Sequence, residues 1–187
     1  MTNQIYFSSD LHFNHSRDFV YEPRGFSSIE EMNEVIIQNF NKIVTPKDDL
    51  YLLGDIMLGG PRGLESGINL FKRLPGKIHL IFGNHDTTRR CNAMMDVDNV
   101  IEICGYAAML KYHKYHFYLS HYPTVTTNFD DDKPLKQKVL SLSGHTHSKE
   151  KFNAMTGSYN VAVDAHNCYP VSIEKIIEDF KEKYFFL

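Results

Sequence analysis

Ile5-Tyr6-Phe7-Ser8-Ser9-Asp10-Leu11-His12 is an apolar run that ends in an acid and an imidazole one residue apart. Ile5 to Ser8 reads as a first β-strand, and Asp10 and His12 project to one side just past its end. The same plan recurs down the chain. Asp49 to Leu53 runs into Gly54-Asp55, and Ile78 to Phe82 into Gly83-Asn84-His85-Asp86. Tyr115 to Leu119 leads to Ser120-His121, and Val139 to Ser143 to Gly144-His145-Thr146-His147. Strands that end in metal-binding side chains build a site on one rim of a sheet.

The intervening stretches have helical period. Ser28 with Glu31 forms a capping box ahead of Ile29, Met32, Val35, Ile36, Phe40 and Ile43, and Thr45-Pro46 stops the helix. Gly59, Gly60 and Gly63 form a loop before a helix near Glu65 to Leu74, which Pro75-Gly76 closes. Thr88 to Met95 reads as a short helix. Val100 to Ile103, Tyr106 to Tyr112 and Tyr115 to Leu119 then read as successive antiparallel strands. Pro123 to Lys138 has no period and reads as a long loop. Tyr159 to Val163 is a further strand, and Pro170 and Ser172 introduce a last helix with Ile173, Ile176, Ile177 and Phe180 on one side. The order βαβαβ, then mainly β, then a closing helix gives an α/β domain with mixed sheets.

The 187 residues favour one domain, residues 1–187. A formal net charge of −3 gives no general attraction to nucleic acid or anionic membrane. Cys91, Cys104 and Cys168 include no C-x-x-C pair, which fits a reducing compartment. No apolar stretch approaches the ~20 residues needed to span a bilayer. The polar start Met1-Thr2-Asn3-Gln4 does not resemble a signal peptide. A cytoplasmic protein is expected.

Singly, each polar block is weak. D-x-H is common by chance, a Gly-Asp turn is commoner still, and a lone His is more often a satisfied core or surface residue. Two imidazoles flanking Thr146 after a buried strand reverse those odds, and all five blocks in this order are specific. They resemble the signature of the calcineurin-like metallophosphoesterases: D-x-H, G-D, G-N-H-[DE], a lone H, then G-H-x-H. The resemblance runs from Asp10 to His147. It implies an α/β fold, a four-layer α-β-β-α sandwich of two mixed sheets with helices outside. It also implies a site for two divalent metal ions. On this resemblance Asp10, His12 and His147 hold one metal and Asn84, His121 and His145 the other, while Asp55 bridges. His85 faces the substrate as the catalytic residue, with Asn84 also near the substrate. The imidazole, carboxylate and amide ligands suit Mn, Fe, Zn, Co or Ni, and the family favours Mn in an assay.

Charge supports such a cluster. Two divalent ions with two carboxylates and one hydroxide keep about +1, which attracts a phosphate anion. The expected reaction is hydrolysis of phosphodiesters or small phosphate esters by direct attack of a metal-bridging hydroxide. His85 is the expected proton donor to the leaving oxygen. Many relatives carry G-D-x-x-D, whose second acid can support that histidine; here Leu58 stands in its place. The partner of His85 is then Asp86, another acid, or absent.

Beyond the signature, His15 lies close enough to touch substrate, and His166 sits on a loop that could approach the site. Arg17, Arg24 and Arg62 could clamp an anion, although a solvated surface role is the commoner one. Lys133 to Lys138 is read as a basic rim or a polar loop, and Asp130-Asp131-Asp132 as a solvated face. Tyr122 and Phe129 are candidates for stacking. A small phosphate ester or nucleotide is the expected partner, with no membrane and no stable nucleic-acid binding; the sequence leaves the oligomeric state open. A nuclease on the same metals is the second reading. A non-catalytic scaffold is the third, disfavoured because every ligand position is filled.

Overall fold

The computed structural model describes residues 3–58, 61–126 and 134–185. Its first half alternates strands and helices, and its four strands run parallel. Strand β1 (Ile5–Ser8) leads through a short helix α1 (Asp18–Tyr21) to α2 (Ile29–Ile43) and then β2 (Asp49–Leu53). Helix α3 (Pro61–Phe71), β3 (Lys77–Ile81), α4 (Thr88–Met95) and β4 (Val100–Ile103) follow. The second half holds β5 (Ala107–Tyr112), β6 (Tyr115–Ser120), β7 (Val139–Ser143), β8 (Tyr159–Asn160), β9 (Val171–Ser172) and α5 (Ile173–Phe185). One sheet has the order β4-β3-β2-β1-β9 and the other β5-β6-β7-β8. Both are mixed: β9 is antiparallel to β1 in the first, and β5 antiparallel to β6 in the second.

Alternation along the strands explains the layers. Leu50 and Leu52 of β2 and Ile78 and Leu80 of β3 face Met32, Ile36 and Phe40 of α2, Phe71 of α3 and Met94 of α4. Phe7, Tyr51, Leu53 and Ile81 point the other way and meet Phe117, Leu119, Leu140 and Leu142 of the second sheet. Ile173, Ile176, Ile177 and Phe180 of α5 join that second core. Each fully buried aliphatic or Phe side chain contributes about 1.5–3 kcal/mol relative to exposure. At the start of α2 the Ser28 hydroxyl accepts the Glu31 amide at 3.1 Å, and the Glu31 carboxylate accepts the Ser27 amide at 2.8 Å.

Helix α1 and strand β9 are not expected from the sequence, and three expected elements differ from it. Helix α3 begins at Pro61, earlier than Glu65, because proline suits the first turn of a helix where its missing N–H is not needed. Strand β4 does not open an antiparallel meander. It runs parallel to β3, with the Ile78 amide on the Asn99 carbonyl at 2.7 Å, and the chain changes sheets at Gly105. Segment 159–163 is a strand for two residues only. It then crosses between the sheets: the Val161 amide bonds Ser143 in one, and the Val163 amide bonds Ser9 at the end of the other at 3.2 Å. Gly59, Gly60, Phe129, Asp130 to Asp132, Lys133 and the Arg62 side chain lie outside the described residues. Among the described residues, no helix is long and apolar enough to cross a membrane.

Candidate metal centre

Each polar block follows the C-terminal end of a strand: β1, β2, β3, β6 and β7. The first two exits run side by side. The Asp10 amide bonds the Gly54 carbonyl, His12 bonds Asp55 and Phe13 bonds Ile56, each at 3.0 Å. Ladder hydrogen bonding thus continues past the sheet and sets Asp10, His12 and Asp55 in register. Asp86 staples the third exit to the second: its carboxylate accepts the amides of Asp55 at 2.8 Å, Gly83 at 2.9 Å and Ile56 at 3.3 Å. Burial raises the pKa of Asp86, partly offset by those amides. It is therefore occupied with backbone and is not the partner of the His85 ring. The acid beside that ring is Asp55, 3.8 Å from Nε2.

Two clusters of donor atoms result. In one, His12 Nε2 lies 3.1 Å from His147 Nε2, with Asp10 Oδ1 at 3.9 and 3.7 Å from them. In the other, Asn84 Oδ1 lies 2.9 Å from His121 Nε2 and 3.0 Å from His145 Nδ1. Asp55 Oδ2 stands between them, 3.8 Å from His12 Nε2 and 3.5 Å from His121 Nε2. Ligand atoms of Asp10, His12 and His147, and separately of Asp10, Asp55 and His121, all fall within 4.8 Å of one another. The floor of the cluster is closed, with Asp10, His12, Asp55 and His121 at most 2 % exposed, whereas His145 and His147 are open to solvent.

The residues fit a cation. Asp10 Oδ1 is buried with no hydrogen-bond partner, an expense a native fold tolerates where something else satisfies the group. The His121 Nδ1 lies 2.8 Å from the Leu53 carbonyl, which only accepts, so the ring proton sits there. Its Nε2 lone pair then faces the Asn84 oxygen, an arrangement that a shared positive ion stabilises. Burial is the main cause that lowers the pKa of His12 and His145, and the neighbouring imidazoles add to it. Neutral imidazole is the form that binds metal. For His147 burial also lowers, but Asp164 and Asp10 outweigh it and the net direction is up.

Backbone strain marks the same residues. Asp10, His12, Asp55, His145 and His147 all have φ between 50° and 71°. This left-handed conformation costs on the order of 1–3 kcal/mol for a residue with a side chain and persists only where the surroundings dictate it. Gly83 and Gly144 permit the close approach: a Cβ on the first would collide with the Asp55 carboxylate, and on the second with Ser9 and the Asp10 carboxylate.

The family model for the calcineurin-like phosphoesterases matches residues 4–184. The chain belongs to the calcineurin-like phosphoesterase family. An uncharacterised protein of Methanocaldococcus jannaschii is 34% identical over 182 residues, covering 94% of this chain and 90% of that one. The gene 66 protein of Mycobacterium phage D29 is 27% identical, covering 96% of this chain and 98% of the phage protein. Among solved structures, a protein of unknown function from Aquifex aeolicus superposes with a TM-score of 0.68 at 24% identity, over 95% of this chain and 99% of that one. That likeness shows the fold. Membership of the family makes the chain a metallophosphoesterase by class, and the two donor clusters are its candidate ligand residues.

Residues outside the signature are placed unequally. His15 does reach the centre, its ring 5.3 Å from His12 and 6.5 Å from His85, and the exposed Phe19 stands edge-on to it at 5.5 Å. Tyr122 is half-exposed with its ring 4.7 Å from His145. Arg17 is exposed and, among the described residues, makes no ion pair. Arg24 is a correction: its side chain is buried and bidentate on Asp164, so its donors are not offered to a substrate anion. His166 is also turned away, bonded to the Asn160 carbonyl at 2.8 Å and stacked on Tyr159. Lys138 is buried over the Tyr184 ring at the start of β7, the end of the strand away from Gly144, and forms no basic rim. Sequence reading missed Asp164 and the staple role of Asp86; Asp164 falls in no motif and offered no signal of its own.

Proposed function

We propose that residues 1–187 form one metallophosphoesterase domain that uses two divalent ions to hydrolyse phosphodiesters or small phosphate esters, with Mn²⁺ effective in assay. The observation that carries the reading is Asp55 Oδ2, placed between His12 of one donor cluster and His121 of the other. In this reading Asp10, His12 and His147 hold one ion, Asn84, His121 and His145 the other, and Asp55 both. When bound, the ions supply a water of lowered pKa and Lewis-acid polarisation of the phosphoryl oxygens.

The remaining work falls to this chain. The buried floor of Asp10, His12, Asp55 and His121 fixes the cluster and leaves access from the side of His145 and His147. His85, with its side chain 43% exposed, stands on the open side and donates a proton or hydrogen bond to the leaving oxygen. Its backbone amide is tied to Asp55 Oδ1 at 2.9 Å, which holds the donor against the cluster. Asn84 and His15 lie beside the cluster and, with the exposed Arg17 two residues from His15, would contact the substrate. Cys91, Cys104 and Cys168 are unpaired, which supports a reducing compartment such as the cytoplasm.

The test is a turnover panel with Mn²⁺: a generic diester, a generic monoester, cyclic nucleotides and nucleotide pyrophosphates, with Asp55→Asn as the blank. Metal-dependent hydrolysis of at least one, lost in the blank, is expected. No hydrolysis of any of them rejects the reading.

A further inference from the structure

Arg24 and Asp164 lie outside every motif block, yet together they join the loops that carry Asp10, His12 and His147. Arg24 grips Asp164 with two bonds, Nε to Oδ1 at 2.9 Å and Nη2 to Oδ2 at 2.8 Å. The same guanidinium donates to the carbonyls of Asp10 at 2.8 Å and Leu11 at 3.4 Å. Asp164 Oδ2 in turn lies 3.3 Å from His147 Nδ1. The Arg24 and Asp164 side chains are 2% and 8% exposed.

A buried ion pair is weak evidence of a stabilising device, because desolvation offsets much of its attraction. Its placement has another use. The Nε2 of His147 faces His12 and Asp10, and it can offer a lone pair there only if the ring proton sits on Nδ1. Two groups stand at 3.3 Å from Nδ1: Asp164 Oδ2 and Arg24 Nη2. A guanidinium has no acceptor, so the carboxylate alone can receive that proton's hydrogen bond. Asp164 therefore selects the tautomer and ring plane of His147. Arg24 fixes Asp164 and holds the carbonyls of the loop that bears Asp10 and His12. On the other cluster, the Leu53 carbonyl does the same service for His121 without either residue.

We infer that the Arg24–Asp164 pair is a positioning device for the Asp10/His12/His147 cluster, and sets the affinity of that ion alone. The inference rests on the two-metal reading above. Such outer partners of metal-binding histidines are typically worth 10–100-fold in affinity.

The test is a calorimetric Mn²⁺ titration of metal-free wild type, Asp164→Asn and Arg24→Lys, with circular dichroism to confirm folding. Arg24→Lys keeps the buried charge but not the planar fork, and carries the test if Asp164→Asn fails to fold. Wild type should bind two ions. Each variant should lose about 10–100-fold in affinity at one site, keep the other, and lose the coupled-ion signal in electron paramagnetic resonance at two equivalents of Mn²⁺. Unchanged binding at both sites, or equal weakening of both, overturns the inference while leaving the two-metal reading in place. Wild type that binds fewer than two ions overturns that reading and the inference with it.

Discussion

Asp55 Oδ1 accepts the backbone amide of His85 at 2.9 Å, while Asp55 Oδ2 lies between His12 and His121. One carboxylate thus links the two donor clusters and anchors the candidate proton donor. Among the described residues the His85 ring makes no hydrogen bond to the cluster, its Nε2 standing 3.8 Å from Asp55 Oδ2, which separates its role from metal holding. His85→Ala should keep its full metal content and lose roughly 10²–10⁴-fold in turnover. Metal analysis beside steady-state kinetics checks this; normal turnover in a fully loaded variant would reject the proton-donor role.

Gly144 touches Ser9 and Asp10 so closely that a methyl group cannot be added without moving the Asp10 carboxylate. Gly144→Ala should lower stability by about 1–3 kcal/mol and weaken metal binding together. Thermal unfolding and a metal titration on the same sample read both. A variant with wild-type values in each would show that the contact is not constrained.

The ladder of strand exits was legible in the sequence because each exit is a local event: an apolar run, a turn residue, then ligands. All five blocks accordingly sit where expected. What was not legible depends on distant partners. Arg24 read as a solvated charge or a possible anion clamp because Asp164, which engages it, is 140 residues away. Asp86 looked available to His85 because three backbone amides that occupy it are invisible in a string of side chains. Val100 to Ile103 carries a pattern compatible with either sheet, and its choice is made by main-chain bonds to β3. Strands β8 and β9 have two residues each, too short to show a period.

Between β8 and α5, the buried Asp179 carboxylate accepts from Tyr159 at 2.6 Å and Lys151 at 2.9 Å, and Lys175 lies 3.1 Å away. Burial alone would raise its pKa, but these donors outweigh it and hold it below the usual carboxylate range. A depressed folded-state pKa gives stability that is full above the unfolded value near ~3.9 and lost as pH falls through the folded value. Asp179→Asn should therefore cost about 1–3 kcal/mol at neutral pH. Its deficit in melting temperature should shrink as pH drops below about 4. A deficit that stays constant on acidification would contradict the linkage.

If water attacks at phosphorus, as proposed, the destination of solvent oxygen is fixed. Hydrolysis of a diester in oxygen-18 water should place the label in the phosphate product. Mass spectrometry that finds it in the alcohol would mean that a carbon–oxygen bond is broken instead.

If two divalent ions joined through Asp55 make this chain a phosphoesterase, as proposed, its activity must follow the metal. The most direct measurement strips the protein with chelator and follows diester hydrolysis as Mn²⁺ is returned stepwise. The stripped protein should show no turnover, and activity should rise to saturation near two equivalents. Hydrolysis that survives chelation undiminished, or that never appears at any Mn²⁺ level on any phosphate ester, would contradict it.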